Sequence, residues 1–156
     1  MKQQHRYALS GLLVAGVLTA ASAHGGSHQY GPYPAKYVEE CGSCHVSYPP
    51  QAMTATGWET QMRGLSRHYG TDASLDAESS KTISAYLMAH ATTKEKRAPT
   101  EATARLTKTR WFSKEHGIVP PKGQSFSNCS VCHTQAEQGD FNERTLKTPA
   151  GWRHAD

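Results

Sequence analysis

The chain has 156 residues, with 17 lysines and arginines against 13 aspartates and glutamates, a formal charge of +4 and four cysteines. One domain fits that length. The mild charge, with no basic stripe or arm, excludes the electrostatic footprint of a nucleic-acid binder.

The first 23 residues read as a secretory signal. Lys2 and Arg6 form a basic start, an apolar run follows from about Ala8 to Ala21, and Ala21-Ser22-Ala23 has the small-residue pattern of a cleavage site. The run is shorter than the ~20 residues that a spanning helix needs, which disfavours an uncleaved anchor. No later stretch is apolar enough to cross a bilayer. Loss of Lys2 and Arg6 takes the charge from +4 to +2 and leaves an exported protein, expected in the periplasm, that starts near His24.

Residues 24–37, HGGSHQYGPYPAKY, predict an irregular, flexible lead-in. A first helix is expected from about Tyr37 to Cys44, stopped by the prolines of YPPQ. In TATGWETQMRGLSRHYG, Thr56 and Glu59 make a capping-box pattern, and Trp58, Met62, Leu65 and Tyr69 recur at helical spacing before Gly70. SLDAESSKTISAYLMAHATT predicts a helix capped near Asp76, with Ile83, Leu87 and His90 on one face. KEKRAPT reads as a solvated linker. A fourth helix should start at about Thr107 or Thr109, pass Trp111 and Phe112, and end at His116 and Gly117. VPPKGQ is loop. A last helix is expected from about Ser127 to Glu137, ended by Gly139, with FNERTLKTPAGWRHAD as a tail packed on the second motif's cofactor.

The mature segment has five Leu, two Ile, four Val and three Phe. Chains with under about 20% of these residues are candidates for disorder, yet the net charge is low and Trp and Tyr are plentiful, which opposes a solvated coil. Such a chain can fold around a large apolar group that it does not encode.

All four cysteines fall in two copies of one motif, Cys41-Gly42-Ser43-Cys44-His45 and Cys129-Ser130-Val131-Cys132-His133. Zinc would explain four thiolates, but 84 residues separate the pairs, against about 15–20 between zinc knuckles, and the trailing histidines would have no role. A thioredoxin-like dithiol would sit in a βαβ setting, and no Val/Ile run precedes either motif. Covalent haem c explains both features. Cysteines at i and i+3 share a helical face, so their sulfurs reach two vinyl groups of one porphyrin, and the next histidine falls under the iron. Two haem c groups are therefore expected on Cys41, Cys44, Cys129 and Cys132. The predicted fold is mainly α and two-lobed, a small dihaem cytochrome with little or no sheet. Its lobes span about 36–92 and 100–150.

His45 and His133 are the expected fifth ligands. The sixth decides the chemistry: histidine gives a closed, low-spin iron, methionine raises the potential, and a vacancy permits ligand binding. His68 and His116, near helix ends among aromatic residues, are the leading candidates, with His90 a rival on its apolar face. His24, His28 and His154 lie in the end segments, and Met53, Met62 and Met88 are at positions typical of packing.

The segments YVEECGSCHVSYPPQ, W…HYGTDASLD, ISAYL, TRWFSKEH and NCSVCHTQAEQGDF, in this order from about Tyr37 to Pro149, resemble the small bacterial dihaem cytochrome c family that donates electrons to an oxygen-binding c-type haem protein. The resemblance implies two bis-histidine haems of low potential, His45 with His68 on haem 1 and His133 with His116 on haem 2. A pairing crossed between the lobes also fits the spacing. It further implies a membrane quinol-linked b-type cytochrome as donor and a soluble c-type haem protein as acceptor. The expected function is electron transfer rather than catalysis. Rival readings are a small dihaem peroxidase or reductase, for which Glu115 is the conceivable acid–base group, and a gas-binding haem module.

Overall fold

The structure, a computed structural model, describes residues 28–99 and 104–154. The expected leader and His24 lie outside the described residues. Four helices form: α1 (Ala35–Cys41), α2 (Ala55–Arg63), α3 (Ala77–His90) and α4 (Arg110–Glu115). Short 3-10 turns join them. A two-residue antiparallel ribbon pairs β1 (Ile118–Val119) with β2 (Arg153–His154), Ile118 opposite His154. Among the described residues, no helix is long and apolar enough to cross a membrane.

Local chemistry explains most of the boundaries. Asp76 caps α3, its Oδ1 accepting the amides of Glu78 and Ser79, both at 2.9 Å. Thr109 caps α4 in the same way, accepting the Phe112 amide at 3.1 Å. The capping box expected at Thr56 and Glu59 does not form. The helix starts earlier, with Thr54 as its N-cap residue, because Thr54 is held in place from outside: it bridges to Thr92, and the Thr92 amide bonds the Met53 carbonyl at 3.0 Å. The same helix stops at Gly64, and a 3-10 turn (Leu65–Arg67) carries the chain to His68.

Helices α1, α2 and α3 enclose a core of Tyr37, Met53, Trp58, Ile83 and Leu87, joined by Leu106 and Phe112 from the second half. Its polar handles are satisfied. The Trp58 indole donates to the Pro50 carbonyl at 2.7 Å and the Tyr37 hydroxyl to the Tyr48 carbonyl at 2.7 Å. His90 does not join Ile83 and Leu87 inside. It is exposed in the last turn of α3, where the chain turns away and the ring packs on Tyr86 of its own helix, 4.8 Å between centroids.

The expected helix over 127–137 is absent. Two 3-10 turns, Cys129–Val131 and Ala136–Gln138, take its place. Ser, Asn, Cys, Val and Thr are weak helix formers, and tertiary bonds compete for the backbone: Lys147 N to Cys132 O at 2.8 Å and the Thr134 hydroxyl to Thr145 O at 2.8 Å. From His28 on, the lead-in is held by backbone bonds to the second half, which differs from the flexible segment expected. Tyr30 N bonds Gly139 O at 2.8 Å, Phe141 N bonds His28 O at 3.0 Å, and His28 N bonds Asn142 Oδ1 at 3.1 Å. Gly139 adopts φ +73, and a Cβ there would lie 2.3 Å from the Gly31 amide nitrogen.

Two outcomes follow. Thr109→Ala should cost about 1–2 kcal/mol in urea unfolding of the mature protein, the usual loss for an N-cap, and Thr109→Ser should recover most of it. Gly139→Ala should strip hydrogen-exchange protection from the Tyr30 amide while leaving the α2 and α3 amides protected.

Candidate functional site

The first motif begins where α1 ends. Gly42 permits a tight turn, since a Cβ there would meet the Val38 carbonyl oxygen at 2.5 Å. Cys41 is half-buried and Cys44 exposed. His45 follows, its Nδ1 2.8 Å from the Val46 carbonyl. With the proton held on Nδ1, Nε2 is left as the free lone pair. His68 arrives from the other side on the 3-10 turn after α2. Tyr69 behind it takes a left-handed conformation, φ 52, and the Arg105 guanidinium stacks on the Tyr69 ring at 3.9 Å. The His45 and His68 rings face each other at 6.2 Å between centroids, 25° from parallel.

The second site repeats the arrangement with different elements. His116 closes α4, its Nδ1 3.1 Å from the Phe112 carbonyl, so Nε2 is again free. Its ring stacks on Phe112 at 3.9 Å. His133 follows the 3-10 turn of the second motif. The His116 and His133 rings stand 6.1 Å apart, 70° from parallel. A cavity of about 370 Å³ surrounds them, walled by Leu106, Trp111, Phe112, Phe126, Phe141 and Trp152 and reached by Cys129 and Cys132. The tail packs beside these rings: Phe141 lies 5.0 Å from His133 and Trp152 5.4 Å from Phe126.

The spacing tests whether these residues suit a haem iron. A metal–imidazole bond of about 2 Å, plus about 1.1 Å from nitrogen to ring centre, puts two rings on opposite sides of one metal about 6.2 Å apart. Both pairs meet that value, and the rings brought to it are His45 with His68 and His116 with His133, each pair within its own half of the chain. Burial, then the proximity of His45, lowers the pKa of His68; burial lowers that of His116; burial, then His116, lowers that of His133. Each shift favours the neutral imidazole that binds metal.

The thiols support the same use. Burial pushes Cys41 and Cys129 up to about 11, whereas a redox dithiol needs a depressed pKa. Among the described residues, no three His, Cys, Asp or Glu side chains converge as a metal cluster, so the four cysteines do not form a zinc clamp.

His28 lines the second cavity beside His133, with its Nδ1 3.2 Å from the Tyr30 hydroxyl. Of His154 only the backbone, in β2, is described. Met53 is fully buried in the core, and Met62 and Met88 pack against it. Glu115 is exposed. Two residues that the sequence left unremarked also matter here. Tyr48 stacks on His45 at 4.7 Å and donates its hydroxyl to the Ser127 carbonyl at 3.2 Å, which ties the first motif to the approach of the second. Arg97, expected in a solvated linker, is buried against the second cavity. The first helix starts at Ala35 and ends at Cys41 with Gly42 as its C-cap, short of the expected Tyr37-to-Cys44 helix stopped at YPPQ; YPP carries the Tyr48 stacking ring instead, and no local pattern marks Arg97.

Comparison with known proteins gives the same picture. The family model for dihaem cytochrome c matches residues 37–141. The crystal structure of DHC purified from Rhodobacter sphaeroides is 36% identical, with a TM-score of 0.60 over 70% of this chain and 98% of that one. The diheme cytochrome type c sb-DHC from Shewanella baltica OS155 is 34% identical, with a TM-score of 0.63 over 80% of this chain and all of its own. No curated protein matches the chain. With its family model, its mainly helical fold and these relatives, the chain belongs to the dihaem cytochrome c family, c-type haem electron-transfer proteins that carry two haem c groups.

Proposed function

We propose that this protein is a periplasmic electron carrier with two bis-histidine haems, His45 and His68 on haem 1 and His116 and His133 on haem 2. Cys41 and Cys44 hold haem 1 through thioethers, and Cys129 and Cys132 hold haem 2. The leader is removed after Ala23, and the lobes of the mature chain span about 36–92 and 100–150. The observation that carries this reading is the double spacing of the imidazoles, 6.2 and 6.1 Å between ring centres.

Bound haem iron supplies the one-electron ferric/ferrous couple. The chain's own residues do the rest. Val46 and Phe112 carbonyls orient His45 and His116, so these rings need little reorganisation when the charge on the metal changes. A histidine on each side leaves no open position for a substrate, which supports transport over catalysis. Phe112, Phe126, Phe141 and Trp152 exclude water around His116 and His133. Tyr48 provides a short, packed contact between the two sites. Burial raises its pKa, so it remains a hydroxyl donor. The donor we propose is a membrane quinol-linked b-type cytochrome and the acceptor a soluble c-type haem protein, on the strength of the family resemblance.

The reduced protein should be low-spin at both haems and form no carbon monoxide adduct. His68→Ala or His116→Ala should turn one haem of the two high-spin and open it to carbon monoxide, while His90→Ala changes neither. Rapid adduct formation by the unmodified protein would overturn the ligand set.

Electron paramagnetic resonance separates the two sites. Imidazole planes near 25° split the iron d orbitals that bond them, whereas planes near 70° leave those orbitals close in energy. The ferric protein should therefore show one ordinary rhombic low-spin signal and one with a much larger highest g value. His116→Ala should remove the second and spare the first.

A further inference from the structure

Arg97 ends a 3-10 turn (Glu95–Arg97) in the linker between α3 and α4. It is 8% exposed. The guanidinium carbon lies over the Trp111 ring, 4.0 Å from its centre, and Nη1 donates to the Gln51 carbonyl. Nε is buried with no acceptor. No carboxylate among the described residues pairs with this side chain. A ring face and a neutral carbonyl only partly compensate a buried full charge. The Gln51 amide oxygen, also buried without a donor, is neutral as well. The site is short of an anion.

The cavity that Arg97 lines is the one holding His116, His133, Cys129 and Cys132. Trp152 lines it too, and its Nε1–H is likewise buried without an acceptor. Two residues with orphan donors, one of them charged, thus line the cavity of the second site. Haem carries two carboxylates, its propionates, on one edge of an otherwise apolar disc. Arginine pairs well with a carboxylate because its planar fork offers parallel donors.

We propose that Arg97 is the counter-ion of a propionate of haem 2 and sets that haem's potential. This rests on the assignment of haem 2 to Cys129, Cys132, His116 and His133. With the guanidinium beside it the propionate remains ionised within the protein, and the fixed positive charge favours the ferrous over the ferric iron. Trp111 holds the guanidinium plane, so Arg97 acts without rearrangement when the iron changes charge.

The test uses the mature dihaem protein. Potentiometry followed by electron paramagnetic resonance assigns each potential to its own signal. Arg97→Gln should lower the potential of the haem with the large-g signal by about tenfold in the reduced-to-oxidised ratio, which is ~59 mV for one electron. The other haem should stay within error of wild type. Arg97→Lys keeps the charge and loses Nε; it should retain most of the potential but shift the propionate bending bands in the resonance Raman spectrum. An equal shift at both haems, or none, overturns the proposal. If Arg97→Gln does not accumulate, Arg97→Lys decides alone, and unchanged propionate bands count against the pairing. Spin state tests the ligand assignment separately. Both variants should remain low-spin, and a high-spin haem 2 in Arg97→Gln would make Arg97 a support for the axial ligand and not a propionate partner.

Discussion

Two facing imidazoles at the span of one iron, built twice, are the constraint around which the rest is arranged. Each pair joins residues from separate elements, so its spacing is a tertiary property. His45 is set by the turn after α1, His68 by the 3-10 turn after α2, His116 by the end of α4, and His133 by the turn of the second motif. The caps and stops of these elements therefore serve the sites. Thr109 starts α4 so that it ends at His116, and Gly64 ends α2 so that the next turn can deliver His68.

The two sites are alike in spacing and unlike in surroundings. The first lies beside a core of ordinary side chains, with Met53, Ile83 and Leu87 almost wholly buried. The second is enclosed by aromatic rings around a cavity, and of Trp111, Phe112, Phe126, Phe141 and Trp152 only Phe112 is buried. The imidazole planes differ as well, 25° against 70°. Unequal burial and unequal ligand orientation are two of the means by which a protein separates redox potentials. The separation is useful only if electrons pass between the haems. The Tyr48 ring on His45, with its hydroxyl on the Ser127 carbonyl, supplies a contact between the sites.

Much of this was legible locally. The paired cysteines, the Asp76 cap and the end of the fourth helix at His116 each depend on residues a few positions apart. What failed was non-local. Thr54 starts α2 because Thr92 holds it, which no capping pattern at Thr56 could reveal. His90 has the spacing of a core residue but lies beyond the end of the face that packs. The segment after Ser127 has paired cysteines at a helical spacing, whereas weak propensity and the bonds to Thr145 and Lys147 keep it in 3-10 turns. Arg97 was hidden by composition: in KEKRAPT it looks like its charged neighbours, and only the fold distinguishes it by turning it onto Trp111.

The docked lead-in closes this second half. Residues 28–31 bond to 138–142, more than a hundred positions later, and His28 lines the cavity beside His133. Contacts of such long sequence separation form late, because the loop must close before they contribute anything. The core of α1, α2 and α3 uses residues that are near in sequence and can assemble first. The second cavity has few aliphatic residues, Leu106, Ile118 and Leu146, among its aromatic rings. It reaches its final form only when residues 28–31 and 138–142 meet beside it, and a bound haem would give them a common surface on which to meet.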